Sequence, residues 1–184
     1  GDHRDLHLSL RRQRQMCIRD SLETAVQAFE EFTGGTGKQK IEKSPWKSNG
    51  QKWHFSTKGF TPGHKRQWKM EVWEDLYQLM QDVIPDGNFL WNNKVLVHLY
   101  LPGGRTPWLT VQTKKADALV LNINCPKGLM TAGRIAEFGN RRDFDSTSAQ
   151  KDVARIFFNK SEDIYSSDLE SYLRSLLAEL QEAE

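Results

Sequence analysis

Three short apolar segments joined by tight loops constrain the fold of this chain more than any other feature. The segments are residues 95–101, 108–113 and 118–123, and the loops contain PGGR at 102–105 and KKAD at 114–117. Loops this short join neighbouring antiparallel strands, because parallel strands need a crossover of a dozen or more residues. The sequence therefore predicts an antiparallel meander.

Two helical patterns flank this meander. Apolar residues recur every three or four positions between about residues 65 and 83, and again between residues 169 and 180. Ser167 and Glu170 stand at the start of the second pattern, and their spacing is that of a capping box. Segments with a weaker pattern predict two more strands, at residues 89–91 and 152–158, and a short helix at residues 129–138.

Strands that are grouped together and flanked by helices are typical of an α+β fold. We therefore expect two layers, with an antiparallel sheet of about four to six strands, a long helix before it and a C-terminal helix. The 184 residues suffice for one domain of ordinary size. We place that domain at residues 45–184, after a short helix and a basic linker at residues 21–44.

Residues 1–20 differ in character from the rest of the chain. The stretch RRQRQMCIRDS at residues 11–21 resembles the translated read-through of a sequencing adapter, which is frequent in open reading frames from environmental assemblies. We therefore expect residues 1–20 to be an artefact or disordered, and the chain to be a fragment of a longer protein. Removing them takes the counts from 26 basic and 24 acidic residues to 21 of each, so the overall charge is no evidence for a nucleic-acid partner.

A strong charge asymmetry remains after that removal. Residues 38–69, which we call the basic segment, carry nine Lys or Arg against Glu42 alone, a local charge of +8. Residues 161–184 carry seven acidic residues against Arg174, a local charge of −6. Such a division indicates either a phosphate-binding face or two ends of the chain that attract each other.

Aromatic residues alternate with cations in the basic segment, and from Gln51 to Lys58 this predicts a strand with one aromatic and one basic face. Phosphates attract cations and unpaired bases stack on flat rings, so the composition is typical of nucleic-acid binding. A core with inward-facing rings and solvated lysines explains the same pattern. Hairpin-tip lysines at 114 and 115 would extend a binding surface. For nucleic acid, we expect four cations to contact phosphates and two rings to stack on bases: Lys52, Lys58, Lys65, Arg66, Trp46 and Trp53.

No catalytic, metal or cofactor motif accompanies these features. The sequence GGTGKQ at residues 34–39 lacks the earlier glycine and the Ser or Thr of a phosphate-binding loop, so it indicates a linker. The histidines show no metal-ligand spacing, and the sequence places no base beside Cys125. We therefore expect no metal and no cofactor, and nothing supports an enzyme. A small enzyme with a pocket near His98 and Cys125 is kept as an alternative.

The number of cysteines bears on the cellular compartment in which we expect the protein. Outside residues 1–20 the chain has a single cysteine, which fits a reducing cytoplasm. No run of about 18 apolar residues occurs, so we expect no membrane partner.

Three stretches carry a resemblance to a known family. They are PWK leading into GQKWHFSTKGFTPGHKRQW (residues 45–68), FLWNNKVLVHLYLPGGRTPWLTVQTKK (89–115) and CPKG (125–128). Together they resemble the C-terminal extension of some bacterial UvrA-like excinuclease proteins, the ATPases that recognise damage in nucleotide excision repair. The Walker motifs and zinc-binding cysteine pairs of that family are absent from this sequence. The resemblance therefore implies an accessory piece that cannot hydrolyse ATP alone.

The expected function is that of a non-catalytic accessory domain of a DNA-repair ATPase, which contacts nucleic acid through the basic segment. Its expected partners are nucleic acid and the parent ATPase domains or other repair proteins. A second resemblance offers an alternative, because the order of elements is similar to that of small YjbR-like α+β domains. The alternative function is a protein-interaction module that does not bind nucleic acid, with its basic half docked on acidic tails.

Overall fold

The computed structural model describes residues 44–60, 65–136, 138–165 and 168–182. All of them lie in the second of the chain's two units, Lys43–Glu184. Four sequence-based expectations fall outside the described residues: the artefact at residues 1–20, the helix within residues 21–44, the glycine-rich linker at 34–39 and the Ser167 part of the capping box.

A single antiparallel sheet of six strands forms the centre of the domain. The strands follow one another across the sheet in the order β1-β2-β3-β4-β6-β5. Their bounds are β1 Asn88–Leu90, β2 Leu96–Tyr100, β3 Leu109–Gln112, β4 Leu119–Pro126, β5 Arg141–Asp145 and β6 Lys151–Phe158. β2, β3 and β4 are the three strands of the predicted meander, and β1 is the separate strand predicted at residues 89–91.

Five helices accompany the sheet in the described residues, and the α+β class is confirmed. Two are long, α3 before the sheet and α5 at the C-terminal end, as the hydrophobic periodicity predicts. The bounds are α1 Pro45–Ser48, α2 Gly50–His54, α3 Met70–Val83, α4 Glu162–Tyr165 and α5 Leu169–Glu182. No helix among the described residues is both long and apolar enough to cross a membrane.

One face of the sheet packs against α3 and α5 to form the core. Side chains on a strand alternate between the two sides of the sheet, so every second residue of the central strands points to this face. These residues and a stripe from each helix form one buried cluster, which includes Val97, Leu109, Leu121 and Ile156 from the sheet and Val72, Leu76, Leu173 and Leu176 from the helices. A small second cluster lies on the opposite face, with Ala118, Val120 and Phe157.

The strand predicted at residues 51–58 is wrong. These residues form most of α2 and the turn after it, and His54, which the pattern assigned to the basic face, is fully buried. Trp53, His54 and Phe55 all contact other parts of the domain, so burial does not alternate here as it does in a strand. Their partners lie far away in sequence, and such tertiary contacts override a short local alternation.

Two helix predictions also need correction. The first long helix begins at Met70 rather than at about residue 65, because residues 65–69 run beside the loop after β3 and bond to its backbone. Residues 129–138 form turns instead of a helix where they are described. Their backbone hydrogen bonds, such as Arg134 to Thr131, span three residues rather than four.

Strand β5 was not predicted from the sequence. Its residues, RRDFD, include a single apolar side chain, and three of the five are exposed. β5 pairs with β6 at the edge of the sheet, where half-exposed and charged residues are tolerated and where they discourage pairing with other chains. A pattern based on apolar alternation therefore misses it.

The backbone at Gly139, just before β5, lies very close to the backbone of β6. Gly139 has φ +61°, and an added Cβ would lie 2.6 Å from Phe157 O, whereas Gly103 has φ +74° and nothing within 4 Å of an added Cβ. We expect Gly103→Ala to lower the free energy of unfolding by about 1 kcal/mol, from the φ cost alone. We expect Gly139→Ala to cost about 3 kcal/mol, because the β6 backbone must also shift. Urea unfolding measures both, and equal losses would contradict the close approach.

Candidate nucleic-acid interface

Antiparallel pairing brings two loops together at one end of the sheet. β2 begins at Leu96, directly opposite Gln112, the last residue of β3. Residues 93–95 and 113–117 follow just outside this pair, and Thr113 N donates to Val95 O at 3.1 Å. We call these two loops the basic end of the sheet. The described part of the basic segment, residues 44–60 and 65–69, is attached there.

Trp53 and His54, in α2, attach the basic segment to the basic end. The indole Nε1 of Trp53 donates to Lys94 O at 2.7 Å. The His54 ring joins both loops, with Nδ1 2.5 Å from Thr113 Oγ1 and Nε2 2.9 Å from Asn93 O. Burial lowers the pKa of His54 from 6.5 to about 4, against the Asn93 hydrogen bond, which raises it. The ring is therefore neutral at pH 7 and acts as a structural bridge.

Lys114 is a buried cation, so the expectation that it extends an exposed surface is wrong. Its Nζ donates to three carbonyl oxygens at the end of α2: Trp53 at 2.7 Å, Ser56 at 2.9 Å and His54 at 3.4 Å. The ammonium also lies 5.4 Å from the centroid of the Trp53 ring and 5.3 Å from that of Phe60. Burial lowers the pKa of Lys114 to about 8, and the nearby Arg66 contributes to the same shift.

A second attachment involves the end of the basic segment. The indole Nε1 of Trp68 donates to Lys115 O at 2.8 Å, and Gln67 N donates to Ala116 O at the same distance. Arg66 lies against aromatic rings, with Cζ 4.9 Å from the Trp68 ring centroid. Arg66 is therefore half-buried, and its contact with a phosphate stays a prediction.

The three lysines predicted to contact phosphates, Lys52, Lys58 and Lys65, are exposed. Lys58 is presented by a turn whose Ser56 Oγ accepts a hydrogen bond from Lys58 N at 3.3 Å. Gly59 packs so closely on the Trp53 ring that an added Cβ would meet the ring at 2.3 Å. This contact holds the turn against α2.

The two rings predicted to stack on bases have different surroundings. Trp53 is half-buried and is held by its indole hydrogen bond, by Gly59 and by Lys114, which makes it a fastening residue. Trp46 is half-buried at the start of α1, with its ring centroid 5.5 Å from that of Trp53. The Nζ of Lys94 lies 5.5 Å from the Trp46 ring centroid. The structure therefore brings Lys94 beside the predicted rings.

Carboxylates are absent from most of the sequence around this interface, and Asp117 at the edge of the basic end is the exception. Residues 44–69 and 88–116 contain no Asp or Glu, and they contain ten Lys or Arg. All but Arg105 of these ten belong to the basic segment or to the basic end: Lys47, Lys52, Lys58, Lys65, Arg66, Lys69, Lys94, Lys114 and Lys115. Two acids lie near these cations in space, because Asp117 pairs with Lys115 at 3.5 Å and Glu74 interacts with Arg66. The nine cations outnumber these two acids, so the region keeps an excess of positive charge, which favours anions.

Two carboxylates of the acidic C-terminal helix pair with arginines outside the basic segment. Glu179 of α5 forms a two-point ion pair with Arg134, with distances of 2.8 and 3.2 Å, and Glu170 pairs with Arg174 at 3.0 Å. Neither arginine belongs to the basic segment.

The alternative enzyme site is not assembled. His98 aligns across the sheet with Thr110 and Asn122, so it lies on the face opposite the helices, and its Nδ1 is 3.0 Å from Thr110 Oγ1. Cys125 is three residues beyond Asn122 on β4 and is buried on the helix side. Burial raises the pKa of Cys125 to about 11, and the nearby carboxylate of Asp152 acts in the same direction, so the thiol is a poor nucleophile at pH 7.

Sequence reasoning missed Lys94 and assigned Lys114 the wrong role, as an exposed cation. Lys94 stands alone in its loop, and Lys114 looks like an ordinary hairpin-tip charge. The one available signal is that both belong to the long stretch without Asp or Glu, residues 88–116.

No family model matches the chain, and no match is found among curated proteins or among solved structures. Within the described residues, no group of three or more His, Cys, Asp or Glu side chains is arranged to hold a metal ion. The case for a function therefore depends on the geometry above.

The neutral, buried His54 gives a testable pH dependence. Its pKa is about 4 in the folded protein and about 6.5 in the unfolded chain, so the unfolded chain binds the proton first as the pH falls. We expect this group to remove about 3 kcal/mol of stability between pH 6.5 and pH 4. Urea unfolding of the native protein and His54→Gln should show a stability gap that shrinks over this pH range. A gap that is constant with pH would contradict the assignment.

Lys114 and its neighbour Lys115 form a matched pair of variants. Lys114→Met leaves three carbonyls at the end of α2 without their donor, and we expect a loss of about 2 to 4 kcal/mol in the free energy of unfolding. Lys115 is more exposed and pairs with Asp117 at 3.5 Å, so we expect Lys115→Met to cost less than about 1 kcal/mol. Chemical denaturation compares the two variants. Similar losses in the free energy of unfolding would show that the buried ammonium does not stabilise the end of α2.

Proposed function

We propose that this domain is a non-catalytic accessory module that contacts the phosphates of nucleic acid through the basic segment. Lys52, Lys58 and Lys65 are the exposed cations assigned to phosphates, and Arg66 adds charge from its half-buried position beside Trp68. The parent that fits this role is a DNA-repair ATPase of the UvrA-like kind that the sequence resembles. The other domains of that ATPase or other repair proteins are then its protein partners.

One observation carries the proposal. Nine cations of the basic segment and the basic end occur in stretches of sequence without a carboxylate, and long-range hydrogen bonds fasten those stretches together. Lys114, the most buried of the nine, is satisfied by carbonyls and aromatic rings rather than by an acid. Positive charge is therefore concentrated in excess of the two nearby acids, Asp117 beside Lys115 and Glu74 beside Arg66. Such an excess is the electrostatic requirement for phosphate binding.

The acidic helix supports this function over internal docking of the basic half. Its carboxylates at Glu170 and Glu179 are engaged by Arg174 and Arg134. The enzyme alternative lacks comparable support, because His98 and Cys125 lie on opposite faces of the sheet.

Salt dependence of binding tests the proposal. Fluorescence anisotropy with labelled duplex and single-stranded oligonucleotides should give a log Kd that rises linearly with log salt concentration. For about three to six phosphate contacts, we expect a slope of about 3 to 5 on duplex. Lys58→Gln and Lys65→Gln should each weaken binding and reduce that slope by about 0.9.

Lys151→Gln is the matched control. Lys151 is exposed at the start of β6, opposite Pro126 and so at the far end of the sheet from the basic end. We expect its affinity and salt slope to equal those of the native protein. If the native protein binds neither oligonucleotide at low salt, phosphate recognition is rejected, and binding of an acidic peptide in the same assay would favour the protein-interaction alternative.

A further inference from the structure

The loop before β2 is a rigid platform for one cation. Asn93 Oδ1 accepts hydrogen bonds from the backbone N of Val95 at 3.0 Å and of Leu96 at 3.1 Å. Asn93 O is bonded to the His54 ring, and Lys94 O accepts from the Trp53 indole. These hydrogen bonds fix the backbone on both sides of Lys94. The exposed Lys94 side chain therefore projects from a fixed point of the loop.

The Trp46 ring lies close to the Lys94 side chain that this loop carries. It is tilted by 56° relative to Trp53, so the two indoles do not stack on each other. The ring is half-buried, and Lys94 Nζ lies 5.5 Å from its centroid. Trp46 belongs to the four-residue helix α1, which Asn49 closes with a hydrogen bond from its backbone N to Pro45 O.

A cation beside a partly exposed indole matches the chemistry of a nucleotide. The flat ring offers a stacking surface to a base, and the ammonium offers a contact to the phosphate attached to it. A base within a duplex has both faces covered by its neighbours, whereas an unpaired base is able to place one face on a protein ring. A ring of this kind therefore distinguishes single strands from duplex, which a cluster of lysines alone does not.

We propose that Trp46 and Lys94 form a nucleotide subsite, so that the preferred ligand of the domain is single-stranded nucleic acid with an unpaired base stacked on Trp46. The proposal rests on the phosphate-binding function above and specifies its ligand. Lys94 moves from the Trp46 ring to the phosphate as the base takes its place on the ring. Trp53 does not stack in this arrangement, because it fastens α2 to the loop that carries Lys94.

Single-stranded and duplex oligonucleotides of the same length, about 12 nucleotides, separate stacking from charge. We expect the native protein to bind the single strand more tightly than the duplex. Trp46→Leu should weaken single-strand binding by about 5- to 100-fold and change duplex binding by less than about twofold. Its salt slope should equal that of the native protein. The slope counts the phosphates that cations neutralise on binding, and an indole ring neutralises none.

Lys94 gives the complementary result, since its contribution is ionic. Lys94→Gln should weaken single-strand binding and reduce the salt slope by about 0.7, the value for one phosphate on a single strand. Arg105→Gln is the control, because Arg105 is an exposed cation in the loop between β2 and β3, away from the basic end. Trp46→Phe keeps a flat ring and should retain most of the affinity. Thermal unfolding of each variant confirms that it is folded.

The outcomes separate the two proposals. If the native protein binds no nucleic acid, the proposed function is rejected and the subsite with it. If it binds but prefers duplex, or if Trp46→Leu and Lys94→Gln bind single strands as tightly as Arg105→Gln does, the subsite is overturned while phosphate recognition stands. Equal weakening on single strands and duplex by a folded Trp46→Leu would also overturn the subsite. If Trp46→Leu does not fold, the other two variants decide. The subsite is supported if Trp46→Phe retains most of the affinity and Lys94→Gln lowers the salt slope by about 0.7, and it is overturned if the slope of Lys94→Gln equals that of the native protein.

Discussion

The buried ammonium of Lys114 is the contact on which the candidate interface depends. It joins the end of α2 to the loop after β3 through three carbonyl oxygens and lies near two aromatic rings. Carbonyl dipoles and ring faces stabilise a cation without cancelling its charge, whereas a carboxylate partner would cancel it. The basic segment is thereby held on the sheet without losing its positive potential.

The same attachment divides the tryptophans of the segment between two tasks. Trp53 and Trp68 use their indole N–H groups to bond the backbone of the basic end, at 2.7 and 2.8 Å, and the Trp68 side chain is buried. Trp46 is left half-buried beside Lys94. Residue type does not separate these tasks, because all three rings occur in one basic and aromatic stretch. The distinction arises from which indole meets a backbone carbonyl.

The elements that were predicted well are those with long or repeated patterns. The meander, β6 and the two long helices have enough apolar residues in register for the period to be read, and burial of those residues drives their folding. The errors fall on short segments. Residues 51–58 alternate over too few positions, the turns at residues 129–138 hold apolar residues without a helical period, and β5 is a charged edge strand.

Residue order alone was enough to establish the α+β class, the six cations without an acid in residues 44–69, and the exposed lysines as candidates for phosphate contact. Contacts between distant parts of the chain were needed to make residues 50–54 helical, to bury Lys114, and to place Lys94 beside Trp46. The physical reason is the range of the interactions. Hydrophobic periodicity is local, whereas the hydrogen bonds that set these positions join residues 39 to 61 places apart in the chain.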